Sequence, residues 1–140
     1  PANIIAFQFR QLMLNLVSNA LKFSRPGVPL HIFISSNMVK ESEIPAGHLA
    51  NGKEKIIREA FIPEKNYCHI CVSDNGIGFE PQFSELIFGV FQKLHSKEVY
   101  PGTGIGLAIV KKIVENHRGH IKATGELNKG ATFDIYIPSE

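Results

Sequence analysis

The chain of 140 residues lacks the features that mark several large protein classes. It has only two cysteines, Cys68 and Cys71. Two thiols cannot build a disulfide scaffold, and their scarcity points to a reducing compartment. No run approaches the roughly 20 apolar residues of a membrane-spanning helix. No basic-then-apolar start resembles a secretion signal. The net charge of +2 is too mild for the clustered basic face that nucleic acid usually requires. There is no internal repeat and no low-complexity tract. What is present is a globular composition, with 44% hydrophobic and 20% charged residues. Leu, Ile, Val and Phe are too frequent for a disordered chain. The length suits one domain, residues 1–140, that buries roughly two thirds of its unfolded surface without a covalent staple.

Hydrophobic periodicity places the elements. Phe9, Leu12, Met13, Leu16, Val17, Ala20 and Leu21 recur at three and four, which predicts an amphipathic helix over 7–24. Arg25, Pro26 and Gly27 stop it. Residues 30–38 alternate as a strand, with Leu30, Ile32 and Ile34 on one face and His31, Phe33 and Ser35 on the other. Residues 40–66 read as a variable loop or long hairpin, with an extra strand near 56–61 and no chemistry of its own. A strand at 67–73 leads into Asp74, and 82–92 reads as a short helix. A second strong helix spans 105–118, with Gly119 as its C′ residue. Strands 120–125 and 131–137 pair across Asn128, Lys129 and Gly130. In the last strand Ala131, Phe133, Ile135 and Ile137 alternate with Thr132, Asp134 and Tyr136. Strands mixed with helices in this way predict a two-layer α/β sandwich with helices on one sheet face.

Four groups of residues carry candidate chemistry. Asn15, Asn19 and Lys22 form a polar stripe beside the apolar face of the first helix. An Asn carbonyl is a hard oxygen ligand suited to Mg²⁺, and Lys22 can meet a phosphate as a point charge. A solvated helix face is the plainer reading of the same stripe. Asp74 takes the strand face of Cys68, Ile70 and Val72, where a carboxylate needs a donor. Asp74, Asn75 and Gly76 also read as a turn signal, while Gly76 and Gly78 allow backbone to approach a ligand closely. Gly102, Thr103, Gly104, Ile105, Gly106 and Leu107 lie at the start of a helix, where freed backbone N–H groups hold anions. The spacing is neither Rossmann-like nor a P-loop. Gly130, Ala131, Thr132 and Phe133 form a turn into the last strand. Cys68 and Cys71 point to opposite faces of their strand, so they are core thiols and not a zinc pair.

In order, these groups resemble the boxes of one family. The run Asn15-Leu16-Val17-Ser18-Asn19-Ala20-Leu21-Lys22 resembles the N box of sensor histidine kinases. Asp74, Gly76 and Gly78 resemble the G1 box, and Phe88-Gly89-Val90-Phe91 resembles the F box. Gly102, Gly104, Gly106 and Leu107 resemble the G2 box, and Gly130-Ala131-Thr132-Phe133 resembles the last glycine box. The resemblance covers about residues 4–138. It implies the catalytic, ATP-binding domain of a two-component histidine kinase, in the superfamily of DNA gyrase, mismatch-repair and heat-shock chaperone ATPases. The implied fold is α+β, a two-layer Bergerat sandwich with a mixed, mostly antiparallel sheet.

The resemblance also implies roles. Asn19 would bind Mg²⁺, Asn15 would lie nearby, and Lys22 would meet phosphate. Asp74 would bind the adenine amino group, with Gly76 and Gly78 beside the base and Thr132 supporting that end through its hydroxyl. Gly102, Thr103, Gly104, Gly106 and Leu107 would contact phosphate and hinge an ATP lid over 92–103. Phe88 and Phe91 would anchor that lid, and Lys93 stands where the family often has an arginine. The expected cofactors are ATP and Mg²⁺. The expected partner is a separate dimerisation domain carrying the phosphoacceptor histidine, and indirectly a response-regulator receiver domain. Neither nucleic acid nor direct membrane contact is expected, and the location is cytoplasmic even if a parent protein is membrane-anchored. His31, His48, His69, His95, His117 and His120 lack the phosphoacceptor context and read as exposed or cap residues. The ATPase relatives place a Glu where this chain has Asn15, which cannot take a proton from water. That weighs against a clamp ATPase, and a non-catalytic ATP-binding regulatory module stands as the other alternative.

Overall fold

The first predicted helix forms as α1, Ala6–Lys22, and its spaced apolar residues Leu12, Leu16 and Ala20 are buried. The computed structural model describes residues 4–45, 48, 65–89 and 106–139. The Phe23 N–H bonds back to the Asn19 carbonyl at 3.1 Å and closes α1. Gly27, at φ +75°, completes the turn that Pro26 begins. Strand β1 is Ile32–Lys40, so Leu30 falls outside it. The ladder sets this limit, since β1 pairs along all of β2, Asn66–Asp74, from Ile32 opposite Asp74 to Lys40 opposite Asn66. The expected helix at 82–92 is not formed over its described part. Two 3₁₀ turns stand there, Pro81–Phe83 and Leu86–Phe88. Burial of the adjacent Ile87 and Phe88 takes the place of a helical stripe. Helix α2 is Gly106–Asn116 and buries Val110, Ile113 and Val114. Strands β3, His120–Glu126, and β4, Gly130–Ser139, form the last hairpin.

The sheet order is β1-β2-β4-β3, and every pairing among the described residues is antiparallel. One face carries Ile70, Val72, Ala123, Phe133, Ile135 and Ile137, packed with Leu12, Leu16, Val110, Ile113 and Val114 of the helices. This is the two-layer sandwich, with helices on one sheet face, that the periodicities predict, and its antiparallel sheet makes it the α+β fold that the family resemblance implies. Cys68 packs against that core, and Cys71 lies on the far face with Asp134 opposite it.

The far face is not bare. Ile44, which follows a 3₁₀ turn at Glu41–Glu43, packs there with Tyr67, Tyr136 and Val39. His48 Nδ1 lies 2.8 Å from the Tyr136 hydroxyl. His69 stacks on the Tyr136 ring at 4.6 Å and sets Nε2 2.8 Å from Asp134 Oδ1. Part of the segment expected to be an uninvolved surface loop thus builds a second small cluster. The proposed extra strand near 56–61 lies outside the described residues.

The end of α2 corrects one expectation. Arg118, at φ +59°, holds the left-handed C′ position assigned to Gly119. Its N–H bonds to Glu115 O and that of Gly119 to Val114 O, each at 2.9 Å. This is the paired bonding of a Schellman cap, with Gly119 one place further on. Gly119 is glycine for another reason, because a Cβ there would run into the Tyr136 carbonyl oxygen.

Candidate functional site

The site residues gather where the end of β2, the end of α1 and the start of α2 meet. Asp74 is the last residue of β2 and shares the helix-side face with Val72 and Ile70. The Gly76 N–H donates to its Oδ1 at 2.8 Å, and the Ala131 N–H also donates to the carboxylate. Burial raises the Asp74 pKa, and these two backbone bonds oppose that rise without cancelling it. The carboxylate is therefore held on two sides by backbone, with acceptor capacity left over.

The loop after Asp74 is fixed by neighbours on both sides. The Ile77 N–H donates to the Phe23 carbonyl at 2.8 Å, and the Asn128 N–H donates to the Ile77 carbonyl at 2.7 Å. Asn75 ties down the connection between α1 and β1. Its Oδ1 accepts the His31 N–H at 2.8 Å, and its Nδ2 donates to Pro29 O at 2.9 Å. Arg25 Nε donates to the Asn75 carbonyl at 2.9 Å. A Cβ at Gly76 would meet the Phe23 carbonyl, and one at Gly78, φ +65°, would meet the carbonyls of Glu126 and Gly130. Both glycines are thus required by protein backbone, a reason closer at hand than the approach of a ligand. Asn75 was legible only as part of a turn signal, and its stapling role needs the His31 strand entry beside it.

On α1, Asn15 is held at both ends of its amide. Gln11 Nε2 donates to Asn15 Oδ1 at 2.9 Å, and Asn15 Nδ2 donates to the Gly106 carbonyl at 3.3 Å. Asn19, one turn on, makes no side-chain hydrogen bond to another described residue and is half-buried. Lys22 is exposed at the last turn of the helix. Gly106 opens α2, where a Cβ would meet nothing within 4 Å, and Leu107 packs against the core. Phe88 is buried edge-to-face on Phe133, with ring centroids 6.2 Å apart. Phe91, Lys93, Gly102, Thr103 and Gly104, the lid over 92–103, and His95 lie outside the described residues.

Thr132 is not brought beside the Asp74 carboxylate. It sits opposite Ser73, its hydroxyl 2.9 Å from the Ser73 hydroxyl, on the sheet face away from Asp74. The residue opposite Asp74 is Ala131, which contributes its backbone N–H. The alternation that puts Phe133 in the core already puts Thr132 on the other side.

The donor set fits a magnesium nucleotide. Asn19 offers a hard oxygen that no described neighbour occupies. Asp74 offers a preset acceptor, and the backbone around it is tight enough to hold its position.

Comparison with known proteins agrees with this geometry. The family model described as "Histidine kinase-, DNA gyrase B-, and HSP90-like ATPase" matches residues 5–140. Cyanobacterial phytochrome A of Nostoc sp. is 41% identical over 131 residues, which are 94% of this chain and 14% of that protein. The chain therefore spans about one seventh of that relative's length. The solved catalytic domain of histidine kinase ThkA shares the fold, with a TM-score of 0.65 at 24% identity over 99% of this chain and 70% of that one. Full-length ShkA, solved in complex with AMPPNP, aligns with a TM-score of 0.61 at 25% identity, over 94% of this chain and 21% of ShkA. With a family match over residues 5–140, the chain belongs to the histidine kinase-, DNA gyrase B- and HSP90-like ATPases.

Proposed function

We propose that this chain binds Mg-ATP and, within a longer histidine kinase, passes the γ-phosphate to a histidine on a separate phosphoacceptor and dimerisation domain. The observation that carries this reading is the Asp74 carboxylate. It is half-buried, oriented by the Gly76 and Ala131 amides, and left with capacity to accept from the exocyclic amino group of adenine. Asn19 would hold Mg²⁺ through its side-chain oxygen, and Lys22 would meet a phosphate. Bound Mg²⁺ would neutralise charge on the phosphate oxygens. Lys93 of the lid, and the glycines at 102, 104 and 106 that would hinge it, would complete the phosphate end. The AMPPNP complex of ShkA supports the nucleotide assignment.

The transfer itself asks little of this chain beyond placement. A neutral imidazole nitrogen attacks the γ-phosphorus, the bond to the bridging oxygen breaks, and ADP leaves. Positioning and charge neutralisation supply the rate, and no base acting on water is needed. Asn15 fits this, since its amide is engaged between Gln11 and Gly106 and takes no proton. A response-regulator receiver domain would take the phosphate next. The domain would work in the cytoplasm, without contacting a membrane or nucleic acid. No helix among the described residues is long and apolar enough to cross a membrane.

Two measurements test the proposal. Asp74→Asn should weaken ATP binding by about tenfold to a hundredfold, the worth of a hydrogen bond to a charged group. Its circular dichroism spectrum should stay unchanged. Equal affinity of the two proteins by calorimetry would remove the adenine assignment. Labelled phosphate from ATP should appear on a supplied cognate phosphoacceptor domain. Binding without any transfer would leave a regulatory nucleotide-binding module.

A further inference from the structure

Helix α1 starts without a cap of its own. Ile5 stands at its N-cap with no side-chain cap hydrogen bond, and the first turn holds no acidic residue. The first N–H groups of a helix have no intrahelical partner. Here one is satisfied from the other helix. The Ile5 N–H donates to Nε2 of His117, 2.8 Å away and 112 residues along the chain. The second ring nitrogen, Nδ1, lies 2.8 Å from the Ile113 carbonyl.

These partners define the ring. A carbonyl only accepts and a backbone N–H only donates. His117 must therefore carry its proton on Nδ1 and present a lone pair at Nε2. An imidazolium, or the opposite tautomer, would set N–H against N–H at Ile5. Phe9 meets the ring edge-on, with centroids 6.5 Å apart and planes at 78°. Beside it, Asn116 Nδ2 reaches Gln8 Oε1 at 3.5 Å.

We propose that His117 is a positioning residue that clips the start of α1 to the end of α2. The helices run antiparallel, and they are tied at two separated points. Asn15 meets Gly106 at the start of α2, and Ile5 meets His117 at its end. One tie leaves a pivot, whereas two prevent α1 from swinging or sliding along α2. Because α1 carries Asn15, Asn19 and Lys22, the clip sets where those groups stand relative to Asp74. The consequence for nucleotide rests on the function proposed above, but the clip itself does not.

The test begins with the unaltered chain. Nitrogen-15 NMR of the His117 ring should show the Nδ1-protonated tautomer and a hydrogen-bonded Ile5 amide. An Nε2-protonated or averaging ring overturns the proposal. His117→Gln offers an amide oxygen near the place of Nε2, while His117→Phe keeps a ring against Phe9 but offers no acceptor. ATP affinity should stay within about twofold in the Gln variant and fall about fivefold in the Phe variant, the scale of a lost helix cap. Exchange of the Ile5 amide should speed up only with Phe. Equal affinity and equal exchange in the two variants would refute the clip. If the Phe variant does not fold, the tautomer in the unaltered chain still decides. If the unaltered chain binds no ATP, the nucleotide reading fails, and the tautomer and amide exchange judge the clip alone.

Discussion

Asn15 and Gly106 are joined across 91 residues of sequence by a hydrogen bond from the Asn15 side-chain amide to the Gly106 carbonyl, at 3.3 Å. The opposite end of the same amide accepts from Gln11. Only a side chain that both donates and accepts can serve both neighbours. The helix that carries Asn19, the proposed Mg²⁺ ligand, is thereby coupled to the first residue of α2, the point where the proposed lid rejoins the fold.

Asn15→Glu should separate this structural part from the chemistry. The carboxylate cannot donate to Gly106, so stability should drop by about 1 kcal/mol, the usual net worth of such a bond. Basal ATP hydrolysis should nevertheless rise, because a base would now stand beside the phosphate end. Thermal denaturation and a phosphate-release assay measure the two effects. A fall in both hydrolysis and ATP binding would count against the reading that Asn15 stands in the place of a base on water.

Gly78 is predicted to be a stability position and not an affinity position. Its φ of +65° disfavours any Cβ, and the added atom would face the carbonyls of Glu126 and Gly130. Gly78→Ala should cost about 2 kcal/mol or more, from left-handed strain plus the collision. Urea denaturation without nucleotide should show the whole loss. A variant as stable as the parent but weaker for ATP would return the glycine to a ligand-facing role.

Much of the fold was legible because its signals are periodic. Leu12, Leu16 and Ala20 on α1, and Val110, Ile113 and Val114 on α2, follow helical spacing and are buried, whereas Leu21 and Ile109, which the same spacing places on the apolar stripes, are exposed at the stripe edges. Asp74 was legible by strand alternation from Ile70 and Val72. The missed features depend on what crosses between distant segments. Nothing near residue 5 announces that His117 will cap it, and nothing near residue 44 announces that Ile44 will pack on Tyr136. The 3₁₀ turns at 81–88 were hidden because a few apolar residues beside a proline fit a short helix equally well. The face that Thr132 occupies was legible from its alternation with Phe133, but its hydroxyl partner Ser73 lies on another strand and was not.

The cap after α2 yields a pair of opposite predictions. Arg118 bears the left-handed strain at φ +59°, while Gly119 beside it lies in crowded space. Arg118→Gly should raise stability by about 1 kcal/mol, since glycine adopts that conformation without the Cβ penalty. Gly119→Ala should lower it, because the new methyl would run into the Tyr136 carbonyl. Melting temperatures of the two single variants check the signs. A stabilising Gly119→Ala would show that the strand can yield there.

Tyr136 ties stability to alkaline pH. Its ring is buried with 2% exposure, stacked on His69, and its hydroxyl lies 2.8 Å from His48 Nδ1. Burial, with the nearby charges of Asp134 and Cys71, pushes its pKa from 10.0 up to about 12. In the unfolded chain the phenol ionises near its ordinary value, about 10. The folded state therefore holds the proton more tightly across that window, and stability falls as pH rises from the unfolded pKa through the folded one. A two-unit separation corresponds to about 2–3 kcal/mol at most. Tyr136→Phe should remove this alkaline loss and flatten the denaturation curve above about pH 10. It should also lower stability near neutrality by about 1 kcal/mol, because the hydroxyl's bond to His48 is gone. Urea melts of both proteins from neutral to alkaline pH provide the check. An alkaline decline of equal size in the two would assign it to other groups, and the far-face cluster would then be packed without restraining the phenol.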